Sequence, residues 1–90
     1  MRYQVDITQR ARRQIEELPG HLRQRVKRTI AQLTVNPRPE DAVELRGPLR
    51  GYYKIKLDLY RVVYRIEDDV ARVLILKAGK KHSGFYDDVG

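Results

Sequence analysis

The chain has 90 residues and a formal net charge of +7, from 19 Lys and Arg against 12 Asp and Glu. This length predicts a single domain, residues 1–90, and so basic a domain is expected to bind a nucleic acid or an acidic protein. The absence of cysteine excludes disulfides and thiolate metal sites.

Neither the amino terminus nor any later segment indicates a secreted or membrane protein. The first residues lack the apolar core of a signal peptide, and no apolar run is long enough to span a bilayer. The two histidines, His21 and His82, lie too far apart in sequence to indicate a structural zinc site. We therefore expect a cytoplasmic protein that has no membrane partner and needs no cofactor.

The first part of the chain predicts a strand and two helices. Apolar and polar residues alternate from Tyr3 to Ile7, as in a short strand, and Thr8 can cap a helix that Pro19-Gly20 ends. A second helix is predicted from about His21 to Asn36-Pro37. The apolar stripes of the two helices are Ala11, Ile15 and Leu18 in the first, and Leu22, Val26, Ile30 and Leu33 in the second.

The remaining surface of these helices is basic. A run of charge on a helix is usually a solvated face, but here the excess is nearly all of one sign. The basic residues are Arg10, Arg12, Arg13, Arg23, Arg25, Lys27 and Arg28.

Strands dominate the second part of the chain. Three prolines and two glycines in residues 37–51 predict a loop. Strand-like runs follow at residues 52–57, 60–67 and 70–77, and their short separators predict an antiparallel meander. The order β-α-α-β-β-β predicts an α+β fold, with the helical hairpin packed on one face of a mainly antiparallel four-stranded sheet.

Alternation along these strands gathers cations on one face of the sheet. A hairpin closed at Asp58-Leu59 places Lys56 opposite Arg61. Closure of the next hairpin at Asp68-Asp69 would place Ala71, Val73 and Ile75 on the apolar face. The predicted basic face then carries Lys54, Lys56, Arg61, Arg65 and Arg72.

Such a face is costly unless it binds something. Like charges directly opposite each other destabilise a sheet, whereas each cation can neutralise a backbone phosphate of a nucleic acid. A phosphate-binding surface is therefore the favoured interpretation. The alternative is an exposed sheet face that is basic without binding anything.

Cleavage of RNA needs proton transfer as well as phosphate binding. His82 is the histidine closer in sequence to the basic strands. His21 stands at a predicted helix start, where a capping or surface role is expected. A tyrosine or a lysine could also serve where neighbouring positive charge lowers its pKa. Tyr86, near Lys80 and Lys81, fits that requirement, although an aromatic residue at a C-terminal turn more often serves only in packing.

Several of these segments resemble the RelE toxins of the RelE/ParE superfamily. The resemblance lies in Leu45-Arg46-Gly47, in Tyr53-Lys54-Ile55-Lys56-Leu57, in Tyr60-Arg61-Val62-Val63-Tyr64, and in Ala78-Gly79-Lys80-Lys81 with a tyrosine shortly after it. The order of elements is similar over nearly the whole chain.

The resemblance implies a toxin that enters the ribosomal A site and cleaves the bound mRNA by attack of the 2′-hydroxyl, without a metal ion. It implies that Tyr86 is the general base and that Lys54, Lys56 and Arg61 hold the scissile phosphate. Lys81 stands where the family often has an arginine that acts as phosphate ligand or general acid. A lysine lacks the planar guanidinium fork, so His82 is retained as the alternative proton donor.

The same resemblance implies two partners, the ribosome with its mRNA and a RelB-type antitoxin. The basic helices, with Arg23 and Lys27, would dock on ribosomal RNA, and Arg65, Arg72, Lys80 and His82 would contact the nucleic acid around the site. Two alternatives remain open at this point. One is an inhibitor of DNA gyrase like the ParE members, and the other is a noncatalytic module that binds RNA or the ribosome.

Overall fold

Two helices and a five-stranded sheet form the core of residues 2–89, the part of the chain that the computed structural model describes. The sheet has the order β1-β5-β4-β3-β2; β1 runs parallel to β5 and the other neighbours are antiparallel. No helix in this part of the chain is both long and apolar enough to cross a membrane. The elements are β1 (Gln4–Ile7), α1 (Gln9–Glu16), α2 (Gly20–Gln32), β2 (Ala42–Glu44), β3 (Tyr52–Leu57), β4 (Tyr60–Glu67) and β5 (Arg72–Lys80).

The helices form where the sequence predicts them and pack on one face of the sheet. The Thr8 hydroxyl accepts a hydrogen bond from the Ala11 N–H at 3.1 Å and so caps α1, as predicted. Both predicted apolar stripes are buried, and each large side chain removed from water contributes about 1.5–3 kcal/mol. They pack against Ile55, Leu57, Val62, Tyr64, Val73 and Ile75 of the sheet.

The prediction of four strands was wrong by one. The segment predicted to be a loop contains β2, which pairs with β3 at the edge of the sheet, Val43 opposite Lys54. Three residues are too few to produce a visible alternation, and the prolines and glycines around them dominate the sequence signal. The fold class and the mainly antiparallel character of the sheet are as predicted.

The β3–β4 hairpin confirms the predicted register. It closes at Asp58-Leu59, with Lys56 opposite Arg61 and Ile55 opposite Val62. Asp58 adopts a positive φ of 58°, a conformation that aspartate tolerates better than most residues. The cations of these strands therefore lie on the face turned away from the helices, called the second face below.

The β4–β5 hairpin is wider than predicted. Glu67 pairs with Arg72, so the connection runs from residue 68 to residue 71 and forms a short 3₁₀ turn. Ala71 has a positive φ of 52° and lies outside the strand, so its predicted place on the apolar face was wrong. The error displaces the register by two residues, which preserves alternation, and Val73 and Ile75 still face the helices.

A β-bulge interrupts β5. Tyr64 pairs with Ile75 but Val63 pairs with Lys77, so one residue of β5, Leu76, is extra. Beyond the bulge the alternation is reversed, and Lys77 joins Val63 on the second face. A small apolar cluster covers the middle of this face; its buried members are Val63, Phe85 and Val89.

Candidate functional site

Strand geometry brings cations together at one end of the second face. Lys54, Lys56 and Arg61 come from the β3–β4 hairpin, with Lys56 directly opposite Arg61. The backbone N–H of Lys81 donates to the Leu59 carbonyl at 2.8 Å. This hydrogen bond holds the residue that follows β5 against the turn between β3 and β4. Since Arg61 pairs with Gly79, alternation places Lys81 on the face that carries Arg61. Lys54, Lys56, Arg61 and Lys81 are called the cation cluster.

The positive charges of the cation cluster are not neutralised by carboxylates of the described residues. Within residues 2–89, none of its members forms an ion pair with a carboxylate. The pKa of Lys54 is lowered, first by burial and then by the positive charges of Arg61, Lys56 and Lys81. No three His, Cys, Asp or Glu side chains of this part of the chain come together as metal ligands. Four cations close together without a carboxylate favour the binding of an anion such as a phosphate.

Arg61 is held by the turn that it follows. One of its terminal nitrogens donates to the carbonyl oxygens of Asp58 and Tyr60, both at 2.9 Å. Its Nε is shielded from solvent and has no hydrogen-bond partner in residues 2–89. Buried donors are normally paired, so this nitrogen is an unsatisfied donor within the cation cluster.

Tyr86 lies beside the cation cluster. It belongs to the C-terminal turn, residues 82–89, whose backbone makes successive short-range hydrogen bonds. The Lys54 ammonium lies 5.7 Å from the centre of the Tyr86 ring, and the Phe85 ring meets it edge-on at 5.1 Å. The Tyr86 hydroxyl is buried and finds no partner among the described residues. The structure thus brings together the five residues predicted to be catalytic.

Arg65 and Arg72 share the second face, as predicted, but both form ion pairs with carboxylates. Glu67 lies 3.3 Å from Arg65 and 2.5 Å from Arg72, and Asp6 lies 3.5 Å from Arg72. Arg65 is opposite Tyr52, about 13 Å along β3 from Lys56 at the usual rise of a strand. The structure places this pair at the far end of the sheet from the cation cluster.

Lys80 and His82 lie around the edge of the sheet from the cluster. Both line a cleft of about 300 Å³ formed with the end of α1 and Tyr60. The His82 ring stays near the backbone, with Nδ1 2.7 Å from the Ser83 carbonyl oxygen. Of the two residues considered as proton donors, Lys81 is therefore the one on the face of the cluster.

The two helix residues predicted to bind RNA differ in their surroundings. Arg23 donates to the carbonyl oxygens of Glu16 and Leu18, at 3.1 and 3.4 Å, and so stabilises the end of α1. Lys27 is exposed beside an apolar groove between the two helices. Its ammonium forms no ion pair with a carboxylate of residues 2–89 and can therefore bind an external anion.

Sequence reasoning missed the support beneath Tyr86. Lys77 is buried under the C-terminal turn, and the chain's single phenylalanine, Phe85, anchors that turn to the sheet. The available signal was the pair of apolar residues at 85 and 89, four positions apart as in a helical turn. The bulge that turns Lys77 toward them leaves no trace in the sequence.

Comparison with known proteins identifies the relatives of this chain. A family model described as ParE toxin of type II toxin-antitoxin system, parDE, matches residues 5–82. The mRNA interferase toxin RelE of Escherichia coli (strain K12) is 34% identical over 83 residues, which are 90% of this chain and 85% of that protein.

Solved structures give the same relationship. The toxin–antitoxin complex RelBE of Mycobacterium tuberculosis contains a chain with a TM-score of 0.78 and 29% identity, covering 90% of this chain and all of that one. The intact E. coli RelBE complex gives a TM-score of 0.76 and 31% identity, covering 89% of this chain and 98% of that one.

Proposed function

This chain belongs to the RelE toxins of the RelE/ParE superfamily, and from that membership and the geometry of the cation cluster we propose how it acts. It is the toxin of a type II toxin–antitoxin system and an mRNA interferase, an endoribonuclease that inhibits translation. It enters the A site of a translating ribosome in the cytoplasm and cleaves the mRNA there. A RelB-type antitoxin neutralises it, as the complexes of its relatives suggest.

One observation supports the proposal: the ring of Tyr86, whose hydroxyl has no partner in residues 2–89, lies 5.7 Å from the ammonium of Lys54, a member of the cation cluster. A group that takes up a proton and a set of cations that binds a phosphate are the two requirements of RNA cleavage by a 2′-hydroxyl. A protein that bound RNA without cleaving it would need the cations but not the tyrosine.

The proposed roles are those that the resemblance to RelE toxins implies. Tyr86 takes the proton from the 2′-hydroxyl, whose oxygen attacks the adjacent phosphorus atom. Lys54, Lys56 and Arg61 stabilise the charge that develops on the phosphate oxygens. Lys81 donates a proton to the departing 5′-oxygen, which leaves a 2′,3′-cyclic phosphate on the upstream fragment.

Docking on the ribosome uses other basic residues. Lys27 and its exposed neighbours on the helices contact ribosomal RNA through phosphates, a sequence-independent interaction that weakens with salt. Lys80 extends the positive surface around the edge of the sheet, and His82 lines the same cleft and can contact the nucleic acid there. Arg23, Arg65 and Arg72 contribute less, because each already has an internal partner.

Inhibition of DNA gyrase is the second candidate, favoured by the name of the family model. Such an inhibitor needs no general base and no phosphate cluster on the second face. The cation cluster with Tyr86 therefore argues for the nuclease.

Expression in bacterial cells separates the two functions. We expect wild-type protein to produce new mRNA ends within translated codons, and Tyr86→Phe and Lys54→Ala to lose them. Arg50→Ala, which removes an exposed cation outside the site, is the matched control and should cleave as wild type does. Loss of plasmid supercoiling with intact mRNA would instead show a gyrase inhibitor.

A further inference from the structure

Among residues 2–89, Lys77 is the one charged residue that is buried, with 5% of its surface exposed. The bulge in β5 places it on the second face, opposite Val63 and beneath the C-terminal turn. A buried ammonium is unfavourable unless it is paired and hydrogen-bonded. Its partners are therefore the reason that a lysine can stand at this position.

Those partners lie on both sides of Tyr86. The Lys77 ammonium donates to the backbone carbonyl of Phe85 and to the carboxylate of Asp88, which is 2.9 Å away. It also lies 4.0 Å from the centre of the Phe85 ring. Asp88 in turn pairs with Arg10 of α1. One ammonium thus joins the sheet to the residue before Tyr86 and to a residue just after it.

Lys77 provides the polar contacts that hold the C-terminal turn on the sheet. Within the described residues, the hydrogen bonds that run from the sheet to residues 83–89 all come from Lys77. The apolar contacts of Phe85 and Val89 keep the turn on the second face but are not directional. A hydrogen-bonded ammonium fixes the direction in which the turn presents its side chains.

We propose that Lys77 is a positioning residue: through Phe85 and Asp88 it holds the C-terminal turn so that the Tyr86 ring stays beside Lys54 of the cation cluster. The inference rests on the proposed function for its consequence in catalysis, but the fixing of the turn can be measured separately. Small displacements of a reacting group lower rates strongly, by up to about 100-fold for 1 Å.

The test compares Asp88→Asn with Asp87→Asn, which removes the same charge from the neighbouring exposed position. Lys77→Met, which keeps an apolar side chain of similar length, is the second variant. Hydrogen exchange would be followed at the amides of Phe85, Asp87 and Val89, which bond within the turn. Single-turnover cleavage on programmed ribosomes would give the rate and the half-saturating protein concentration.

We expect faster exchange of these amides in Asp88→Asn and Lys77→Met, with unchanged exchange in β3 and β4. We also expect a cleavage rate lower by about 10- to 100-fold at an unchanged half-saturating concentration, while Asp87→Asn resembles wild type. Wild-type exchange of the turn in both variants would overturn the proposal, and so would slower cleavage with a fully protected turn. If wild-type protein cleaves no mRNA, the proposed function fails, and the exchange data still decide whether Lys77 fixes the turn.

Discussion

Lys54 and Tyr86 meet on the second face of the sheet, the ammonium of one lying over the aromatic ring of the other at 5.7 Å. The lysine comes from a central strand and the tyrosine from the last turn of the chain. The site thus depends on the docking of that turn as well as on the strands.

Tyr86→Phe should remove activity and leave the fold intact. We expect cleavage to fall by about 10²- to 10⁴-fold, the usual contribution of a general acid or base. The free energy of unfolding should stay the same or rise by up to about 1 kcal/mol, because a buried hydroxyl without a partner is removed. Cleavage assays and urea unfolding measure the two effects.

Tyr64→Phe is the matched control for that prediction. Tyr64 is also buried, but its hydroxyl donates to the Pro37 carbonyl at 2.7 Å. Its removal should lower the free energy of unfolding by about 1–2 kcal/mol and leave cleavage unchanged where the protein is folded. Equal destabilisation by the two substitutions would mean that the Tyr86 hydroxyl has a structural role.

Lys54→Met should stabilise the protein at neutral pH while it impairs cleavage. Burial and the neighbouring cations lower the pKa of Lys54 in the folded state, so protonation favours the unfolded chain. The penalty is complete below the lowered pKa and disappears as the pH rises toward 10.5, the ordinary value. The stability difference between variant and wild type should therefore shrink over that alkaline range.

Arg50→Met controls for net charge in the same unfolding experiment. Arg50 is exposed and stands outside the cation cluster. It should change neither the stability at neutral pH nor the cleavage rate. An equal gain from both substitutions would show a general effect of net charge and not a local cost at Lys54.

Lys81 and His82 can be separated by substitution. Lys81→Ala should slow cleavage strongly, and Lys81→Arg should retain part of it, because a guanidinium binds the phosphate but gives up a proton less readily than an ammonium. His82→Gln should cleave nearly as wild type does, because the ring lies on the cleft beside α1. A strong loss in His82→Gln together with an unaffected Lys81→Ala would reverse the assignment.

The opposite end of the sheet should show a pH-dependent contribution to stability. Hydrogen bonds from Arg38 and Tyr3 lower the pKa of Asp68 from 3.8 to about 2. This carboxylate therefore stabilises the fold above pH 3.8, and the contribution disappears as the pH falls toward 2. Asp68→Asn should be less stable than wild type at pH 7, and the two should converge in acid.

Asp69→Asn removes the same charge one residue along, at an exposed position, and should be neutral. Both variants should cleave mRNA at the wild-type rate, because the pair with Arg38 lies away from the cation cluster. Equal destabilisation by the two substitutions would show that the local network around Asp68 contributes nothing particular.

The faces of the strands could be predicted because alternation has a period of two. Lys54, Lys56 and Arg61 were placed correctly from that rule alone, and even a register error of two residues in the next hairpin kept Arg72 on its face. The pairing of Arg65 and Arg72 with Glu67 was not predicted. The sequence does contain a signal for it, because Glu67 lies two positions from Arg65 and therefore shares its face of the sheet.

The bulge could not be predicted, and the site depends on it. Uninterrupted alternation from Arg72 would have put Lys80 on the second face and turned Lys77 and Lys81 toward the helices. One extra residue, Leu76, reverses this, so that Lys77 supports the C-terminal turn and Lys81 joins Arg61. Residues 75–77 contain no glycine that could have indicated a bulge there.

The most direct test of the central claim is single-turnover cleavage of a labelled mRNA on ribosomes with a defined codon in the A site. We expect a cut within that codon, an upstream fragment that ends in a 2′,3′-cyclic phosphate, and loss of the cut in Tyr86→Phe. Intact mRNA with wild-type protein, or an equally fast cut in Tyr86→Phe, would contradict it.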